Sequence, residues 1–258
     1  MIKLIASDLD GTLLRDGAQS LNPSIFTLIQ RLKEKNILFV AASGRQYYNM
    51  QNLFAPVKDD IAYICENGSL GIFHDQLFSE SYIDRPIGHE IIATIQEHPE
   101  CELLLSCKNA HYISNPSPFY ENHMRNVVKN KMITVPDIFD IKEPYLKISA
   151  CNFSGISYLE PAFRAKFSVQ VNIALAGDGW LDTIPKGTHK GYTLQKLLNQ
   201  LGIHPDECIA FGDQYNDMEM LQLAGTSYAM SDAVLPLRNI ASDTTDSVED
   251  TIKKWLKL

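Results

Sequence analysis

The chain has 258 residues, of which 45% are hydrophobic and 21% are charged, and this length and composition suit a globular protein with a sizeable core. The formal net charge of −8 argues against a general nucleic-acid-binding protein, for which a basic surface is expected. No apolar run approaches the roughly 18 residues that a membrane-spanning helix needs, so we expect no membrane partner.

The cysteines and the N-terminus indicate a cellular compartment. The five cysteines are odd in number, form no Cys-x-x-Cys pair and lie mostly in apolar stretches, which favours reduced thiols over disulfides or zinc. The N-terminal residues have no signal-peptide pattern, because Asp8 interrupts the apolar run almost at once. We therefore expect a cytoplasmic protein.

The chain begins with a short apolar run that ends in two aspartates. Residues 2–7 predict a buried strand, which the turn-forming sequence Asp8-Leu9-Asp10-Gly11 follows. Because side chains alternate along a strand, we expect Asp8 and Asp10 to leave one face together. Two adjacent carboxylates there are costly unless a cation lies between them, and Mg²⁺ prefers such oxygen ligands. Asp-Gly is also ordinary turn chemistry, so this stretch alone leaves both interpretations open.

The next segments alternate between helical and strand patterns. Asn22-Pro23 predicts a helix start, with Asn22 as the N-cap, and helically spaced apolar residues follow it. The continuous apolar runs over residues 37–42 and 61–65 are typical of strands buried on both faces, and a helix is predicted between them over residues 47–54. This order predicts an α/β fold with a doubly wound parallel sheet.

The alternation breaks after residue 82 and resumes at residue 187. Between these points short helical and strand-like segments mix, which predicts an inserted α+β domain over residues 83–186 with its own small sheet. The last part of the chain predicts further helices and a buried strand that ends in Gly212-Asp213. We therefore expect a core domain formed by residues 1–82 and 187–258.

Ligands of open parallel sheets bind at the carboxyl ends of the strands, and several predicted strands here end in polar residues. Lys190 opens a predicted helix nearby, where a cation opposes the helix dipole and therefore needs a separate explanation. A metal-bound phosphate site explains these features together, although Arg45 could equally form a structural ion pair and Asn67-Gly68 could be a simple turn. The residues at the ends of these predicted strands are Asp8/Asp10, Ser43-Gly44-Arg45, Asn67-Gly68 and Gly212-Asp213.

These motifs resemble those of the haloacid dehalogenase superfamily, in its Cof-type subgroup of phosphatases with a large cap domain. The resemblance covers the predicted core and implies a HAD-like Rossmannoid fold, whereas the insert resembles the family's cap in position and length more than in sequence. The matching segments are Asp8-Leu9-Asp10-Gly11-Thr12, Ala42-Ser43-Gly44-Arg45, Lys190-Gly191 and Gly212-Asp213-Gln214-Tyr215-Asn216-Asp217-Met218.

The resemblance implies a role for each matching residue. Asp8 would attack phosphorus to form an aspartyl-phosphate, and Asp10 would protonate the leaving alcohol and then deprotonate water. The implied cofactor is Mg²⁺, with Asp8, Asp10 (through its main-chain carbonyl), Asp213 and Asp217 forming or supporting the metal site. The implied phosphoryl or substrate ligands are Leu9, Ser43, Gly44, Arg45, Lys190 and Asn216.

The function implied by the resemblance is hydrolysis of small phosphomonoesters, such as sugar phosphates or phosphorylated cofactors. The partner that we expect is therefore a small phosphorylated substrate; the net charge argues against nucleic acid, and we infer no obligatory protein partner. A phosphosugar mutase would use the same aspartyl-phosphate, and a non-catalytic phosphometabolite-binding protein would share the site. Asp10 argues against a dehalogenase, and the absence of a GxxxxGK[ST] motif excludes a P-loop NTPase. His111 and His123 of the insert are further, weaker candidates for substrate contacts.

Overall fold

The computed structural model describes residues 1–177 and 179–256. These residues form two compact units, Met1–Ser79 together with the residues from His189 onward, and Glu80–Thr188. The divisions fall close to the expected domain boundaries at residues 82/83 and 186/187. The α/β fold class with an inserted second unit is confirmed.

The strands of the described residues are, in chain order, β1 (Leu4–Ser7), β2 (Leu38–Ala42), β3 (Ala62–Cys65), β4 (Leu70–Phe73), β5 (Gln76–Glu80), β6 (Glu102–Ser106), β7 (His111–Ile113), β8 (Met132–Thr134), β9 (Lys147–Cys151), β10 (Val171–Ala176), β11 (Trp180–Pro185), β12 (Cys208–Gly212), β13 (Thr226–Met230) and β14 (Asp243–Thr245). The α-helices are α1 (Ser24–Glu34), α2 (Tyr47–Leu53), α3 (Arg85–Gln96), α4 (Pro118–Asn122), α5 (Glu160–Phe167), α6 (Lys190–Leu201), α7 (Met218–Leu223), α8 (Leu235–Ile240) and α9 (Val248–Leu256).

The sheet of the first unit has the order β14-β13-β12-β1-β2-β3-β4-β5. The pairs from β14 to β3 are parallel, as expected, but β4 is antiparallel to β3 and makes the sheet mixed. The turn of the β4–β5 hairpin places His74 and Asp75 at positive φ (49° and 56°). Such turns usually have the sequence Asn-Gly or Asp-Gly, which is absent here, so the sequence did not predict the hairpin.

The register of the central strands brings distant parts of the chain to one edge of this sheet. Ser7, the last residue of β1, pairs with Phe211 of β12 on one side and Ala41 of β2 on the other. The residues that follow these strands therefore emerge together at the carboxyl edge of the sheet. This edge is where the predicted site residues from the beginning and the end of the chain meet.

The packing of α1 shows how the local sequence supports this sheet. Its buried residues Ile25, Leu28, Ile29 and Leu32 lie at helical spacing, and burying each aliphatic side chain contributes roughly 1.5–3 kcal/mol. The helix begins at Ser24, one residue later than the expected Pro23, so Asn22 is not its N-cap residue. Asn22 Oδ1 nevertheless accepts a hydrogen bond from the Ser24 N–H at 3.1 Å.

The sheet of the second unit has the order β10-β11-β9-β6-β7-β8 and is antiparallel except between β7 and β8. The main apolar cluster includes residues of α3 and α5, and a smaller cluster contains Tyr120 and Met124. The helix expected near residues 118–128 is present but changes type, because α4 ends at Asn122 and a π-helical turn continues it over His123–Val127. None of the helices within the described ranges has the length and apolar character needed to cross a bilayer.

Candidate active site

Asp8 lies immediately after β1 and is almost completely buried, with 5% of its surface exposed. Its backbone N–H donates to the carbonyl of Phe211 at 3.0 Å, so the neighbouring strand β12 fixes its position. Leu9, whose side chain is fully buried, accepts hydrogen bonds at its carbonyl from Thr12 and Leu14 and closes the turn that follows. The strand end therefore presents a carboxylate from a rigid backbone.

Lys190, the first residue of α6, is fully buried between two carboxylates. Its Nζ lies 2.5 Å from Asp8 Oδ1 and 2.7 Å from Asp217 Oδ1. Burial lowers the pKa of Lys190, but the charges of Asp217 and Asp8 outweigh burial and place the pKa above its ordinary value. These two contacts explain why a cation occupies the first turn of a helix against the helix dipole.

Asp213 and Asp217 follow β12 and have different surroundings. Asp213 Oδ1 accepts a hydrogen bond from the Thr12 hydroxyl at 3.0 Å. Asp217 Oδ2 accepts from the backbone N–H groups of Asp213 and Gln214 at 3.0 and 3.2 Å, while its Oδ1 binds Lys190. Asp217 therefore orients the turn that carries Asp213, and both of its carboxylate oxygens have protein partners.

Gly11 allows this close approach of the two ends of the chain. Its φ is +87°, and a Cβ added to it would lie 2.2 Å from Asp213 Oδ2. A larger residue would both strain the backbone and displace the Asp213 carboxylate. The glycine of the first motif is thus required by the position of an aspartate about two hundred residues later in the chain.

Three buried carboxylates converge at this edge of the sheet. One carboxylate oxygen from each of Asp8, Asp213 and Asp217 lies within 4.8 Å of the others. Burial, followed by the negative charge of Asp217, raises the pKa of Asp8 well above its usual range, and the same two causes raise the pKa of Asp213. Lys190 compensates only part of this negative charge. A donor set of carboxylate oxygens with surplus charge fits a hard divalent cation such as Mg²⁺.

Asp10 lies outside this carboxylate cluster, with 54% of its side chain exposed. Arg45 binds it with two hydrogen bonds, from Nε to Oδ2 at 2.8 Å and from Nη2 to Oδ1 at 2.6 Å. Arg45 Nη1 also donates to Asn49 Oδ1 at 3.1 Å. Of the two interpretations that the sequence left open for Arg45, the structure contains the ion pair, and a phosphate contact stays a prediction.

The remaining predicted ligands lie at the ends of β2 and β12. Ser43 is buried, and its hydroxyl accepts a hydrogen bond from the Arg45 N–H at 3.2 Å. Asn216 Nδ2 donates to Asn67 Oδ1 at 3.1 Å. The Asn67 side chain also adjoins Gly44, since a Cβ on Gly44 would lie 3.0 Å from Asn67 Oδ1. The structure thus brings the predicted residues of all four motifs to one edge of the sheet.

Comparisons with known proteins agree with this arrangement. The family model of haloacid dehalogenase-like hydrolases matches residues 5–256. The chain is 30% identical over 270 residues to the 5-amino-6-(5-phospho-D-ribitylamino)uracil phosphatase YbjI of Escherichia coli, covering 99% of this chain and 97% of that protein. The chain belongs to the haloacid dehalogenase-like hydrolases. The predicted superfamily, its Cof-type subgroup and the enzyme class, a phosphoric monoester hydrolase, are confirmed.

Two other relatives of this haloacid dehalogenase-like hydrolase span nearly the whole chain. The 5-amino-6-(5-phospho-D-ribitylamino)uracil phosphatase YitU of Bacillus subtilis is 26% identical, with 98% of this chain and 96% of that protein covered. The crystal structure of SMU.1108c from Streptococcus mutans superposes with a TM-score of 0.88 at 28% identity and covers 100% of both chains. The likeness therefore includes the second unit as well as the first.

Sequence reasoning assigns no specific contact to two residues that the structure of this hydrolase brings into the site. Thr12 holds Asp213 through its hydroxyl, and Asn67 contacts Asn216. Asn67 follows a buried strand at the same edge as the other motifs, and this position is the one feature of the sequence that could have indicated its place in the site. Of the two candidate histidines, His111 lies 3.2 Å from Asn130 through Nδ1, and His123 packs against Phe119 and Phe153, all within the second unit.

Proposed function

We propose that this hydrolase is a Mg²⁺-dependent phosphatase that cleaves small phosphomonoesters through an aspartyl-phosphate on Asp8. The observation that carries the proposal is the buried cluster of Asp8, Asp213 and Asp217, in which Lys190 contacts Asp8 and Asp217. Burying three carboxylates beside one ammonium is costly for stability alone, so the arrangement favours a role in chemistry. Asp8 is a rigidly held carboxylate at the mouth of the sheet, as a nucleophile requires.

In the first step, a carboxylate oxygen of Asp8 forms a bond to phosphorus while the bond from phosphorus to the leaving oxygen breaks. Asp10 donates its proton to that leaving oxygen, which departs as an alcohol. In the second step, Asp10 takes a proton from water, the water oxygen bonds to phosphorus, and the bond to Asp8 breaks to release inorganic phosphate. Because Arg45 binds both Asp10 oxygens, the Asp10 carboxyl must exchange this ion pair for the leaving group.

The other residues hold the transferring group. Lys190 offers positive charge next to Asp8, and Ser43, Gly44 and Asn216 offer neutral hydrogen-bond donors from two strand ends. Asp8 and Asp213 would hold Mg²⁺ with the main-chain carbonyl of Asp10, and Asp217 would support them through Lys190 and the Asp213 N–H. Bound Mg²⁺ would neutralise the charge of the phosphoryl oxygens, and positioning with charge compensation accounts for most phosphoryl-transfer catalysis.

The names of the relatives narrow the substrate class. YbjI and YitU are named for hydrolysis of 5-amino-6-(5-phospho-D-ribitylamino)uracil, a phosphomonoester of a sugar alcohol attached to a pyrimidine. We propose that this chain acts on the same chemical class, phosphorylated polyols or sugars that carry a nitrogen heterocycle. This proposal for the substrate class rests on sequence identities of 30% and 26%, and it can be tested separately from the proposed reaction.

The test is a phosphate-release assay with purified protein. The substrates are 5-amino-6-(5-phospho-D-ribitylamino)uracil, a panel of sugar phosphates and p-nitrophenyl phosphate, each with Mg²⁺ or with EDTA. We expect phosphate release that requires Mg²⁺, with the heterocyclic substrate preferred. Conversion of a sugar phosphate to an isomer without phosphate release would instead support a phosphosugar mutase.

Asp8→Asn tests the nucleophile. We expect a loss of turnover of at least about 10³-fold, since removing a covalent nucleophile leaves only residual catalysis by binding and charge. The matched control is Asp16→Asn, which makes the same exchange at an exposed aspartate whose φ of 53° suits asparagine. Unchanged turnover in Asp8→Asn would refute the proposed nucleophile.

A further inference from the structure

A strained segment of three residues follows β3 at the same edge of the first unit's sheet. Glu66, Asn67 and Gly68 all have positive φ, at 50°, 56° and 101°. Non-glycine residues adopt this conformation at a cost of about 1 kcal/mol or more, and it persists only where surrounding contacts impose it. All three residues are buried, so the contacts that impose it lie inside the protein.

Contacts on both sides hold this segment. On the side of β2, the N–H of Glu66 donates to the carbonyl of Arg45 at 3.2 Å, and the N–H of Asn67 donates to the carbonyl of Ser43 at 3.1 Å. On the side of α6, the Thr193 hydroxyl donates to the carbonyl of Gly68 at 2.5 Å. A Cβ on Gly68 would lie 2.5 Å from the carbonyl of His189, so only glycine fits there. The backbone of this segment is therefore tied to the motif that follows β2 and to α6, the helix that begins at Lys190.

The side chain of Asn67 connects the ends of β12 and β2. Its Oδ1 accepts a hydrogen bond from Asn216 Nδ2 at 3.1 Å, in the turn that follows β12. The same oxygen adjoins Gly44 after β2, where a Cβ would lie only 3.0 Å away. A single side chain thus fills the space between two of the residues that the proposed function assigns to the phosphoryl group.

We propose that Asn67 is a positioning residue for the phosphoryl site, an inference that rests on the proposed function. An asparagine amide can present either its N–H₂ group or its carbonyl oxygen, and only the N–H₂ group attracts an anionic phosphoryl oxygen. By accepting one N–H of Asn216, Asn67 fixes the orientation of that amide and leaves its second N–H to be donated to the phosphoryl group. The left-handed backbone of Asn67 is what places its oxygen between Gly44 and Asn216.

Two variants separate the side chain from the backbone strain. Asn67→Gly removes the side chain and relaxes the left-handed backbone, whereas Asn67→Ala removes the same polar atoms and keeps the strain. We expect both variants to lose about three- to tenfold in kcat/KM for p-nitrophenyl phosphate, as for one hydrogen bond, with inhibition by inorganic phosphate weakened by the same factor. The Mg²⁺ concentration for half-maximal activity should stay unchanged, because no carboxylate of the metal site is touched.

The matched control is Asn36→Gly. Asn36 also has a positive φ, of 57°, but lies exposed in the turn after α1. Like Asn67→Gly, Asn36→Gly removes an asparagine side chain and places glycine at a left-handed backbone position. We expect this variant to have wild-type kinetics. Thermal unfolding of all three variants shows whether each is folded under the assay conditions. Kinetic losses that differ between Asn67→Gly and Asn67→Ala would assign the effect to backbone strain and overturn the proposal.

A double-mutant cycle with Asn216→Ala gives the decisive measurement. If Asn67 acts through Asn216, the Asn67→Gly loss should shrink to less than about twofold once Asn216 is alanine. An undiminished loss in that background, or wild-type kinetics in Asn67→Gly itself, would overturn the inference. A wild-type protein that releases no phosphate would overturn the proposed function and this inference together, whereas an active wild type with insensitive Asn67 variants overturns this inference alone.

Discussion

Each of the two units buries a lysine beside aspartate, and the two clusters differ in their balance of charge. In the first unit, one ammonium group, that of Lys190, contacts Asp8 and Asp217, and Asp213 lies within 4.8 Å of both. Three carboxylates around one cation leave a surplus of negative charge. Such a surplus is unfavourable in a buried site unless a further cation binds.

The second unit shows the balanced arrangement. Lys147 Nζ lies 3.3 Å from Asp182 Oδ2, and Ser149 donates a hydrogen bond to Asp182 Oδ1 at 2.6 Å. These residues lie on adjacent strands, since Ser149 of β9 pairs with Asp182 of β11. The Lys147 ammonium and the Asp182 carboxylate therefore compensate each other within the sheet, and Ser149 adds a hydroxyl donor. Both units therefore contain a buried ion pair, and the surplus of negative charge is what distinguishes the candidate metal site from the Lys147–Asp182 pair.

Removing the lysine should be the largest perturbation in either unit. We expect Lys190→Met and Lys147→Met each to reduce the free energy of unfolding by about 3–5 kcal/mol, because each removes the ammonium group that compensates buried carboxylate charge. Only Lys190→Met should also abolish phosphate release in protein that is still folded. Chemical denaturation with and without Mg²⁺ measures both effects. A stable Lys190→Met protein would contradict the importance that we assign to the surplus charge.

Neutralising an aspartate should act in opposite directions in the two units. Asp182→Asn removes the carboxylate that Lys147 contacts at 3.3 Å and should cost about 3 kcal/mol of stability. Asp8→Asn removes one of three mutually repelling carboxylates and should raise the stability of the metal-free protein by about 1 kcal/mol while it abolishes turnover. Denaturation midpoints in EDTA measure the difference. The same loss of stability in both variants would show that the clusters do not differ as argued.

Magnesium should stabilise the protein in a pH-dependent way. The raised pKa values of Asp8 and Asp213 mean that the folded metal-free protein retains protons that the unfolded chain has released. The free energy of unfolding in EDTA should therefore fall as the pH rises through these raised values. Mg²⁺ binds the deprotonated carboxylates and opposes this fall, with a gain of about 3 kcal/mol at a concentration of about 100 Kd.

Thermal unfolding at several pH values, with Mg²⁺ and with EDTA, tests this expectation. The rise in Tm on adding Mg²⁺ should be larger at about pH 8 than at about pH 5, because protons compete with the ion for the carboxylates. Asp182→Asn should keep this dependence and Asp8→Asn should lose most of it. A rise in Tm that is equal at both pH values in the wild type would place the ion outside the cluster.

The parts of the fold that follow strong apolar periodicity could be predicted from the sequence. The strands β1, β2 and β12 are continuous apolar runs buried on both faces, and the helix stripe of α1 is equally clear. The edge strand β14, Asp243–Thr245, could not be predicted, because it is short and polar and its structure depends on pairing with β13. Elements defined by tertiary pairing leave little trace in the local sequence.

The candidate site likewise has features that the sequence could predict and features that depend on tertiary contacts. Motif spacing and sheet topology brought Asp8, Lys190 and Asp213 to one edge, because strand ends in a parallel sheet share that edge. They did not indicate whether Arg45 contacts Asp10 or a phosphate, nor that Asn67 adopts a left-handed conformation. Those features depend on differences of a few ångströms among several polar partners at one edge, and topology alone does not fix such distances.

The smallest expected effect on stability concerns two partly exposed ion pairs, one from each unit. Arg45 binds Asp10 in the first unit, and Arg164 binds Glu160 in the second through Nε at 2.8 Å and Nη2 at 2.6 Å. Because these pairs are partly exposed, Arg45→Gln and Arg164→Gln should each change the free energy of unfolding by less than about 1 kcal/mol.

Activity should nevertheless distinguish the two arginine variants. Arg164→Gln should retain wild-type kcat/KM, because its pair has no part in the proposed chemistry. Arg45→Gln frees the Asp10 carboxyl and removes a cation from the phosphoryl site, so we expect a loss of about tenfold in kcat/KM if the guanidinium binds the phosphoryl group in the complex. Unchanged or faster turnover in Arg45→Gln would mean that Arg45 only restrains Asp10, and the phosphate contact predicted for it would then be wrong.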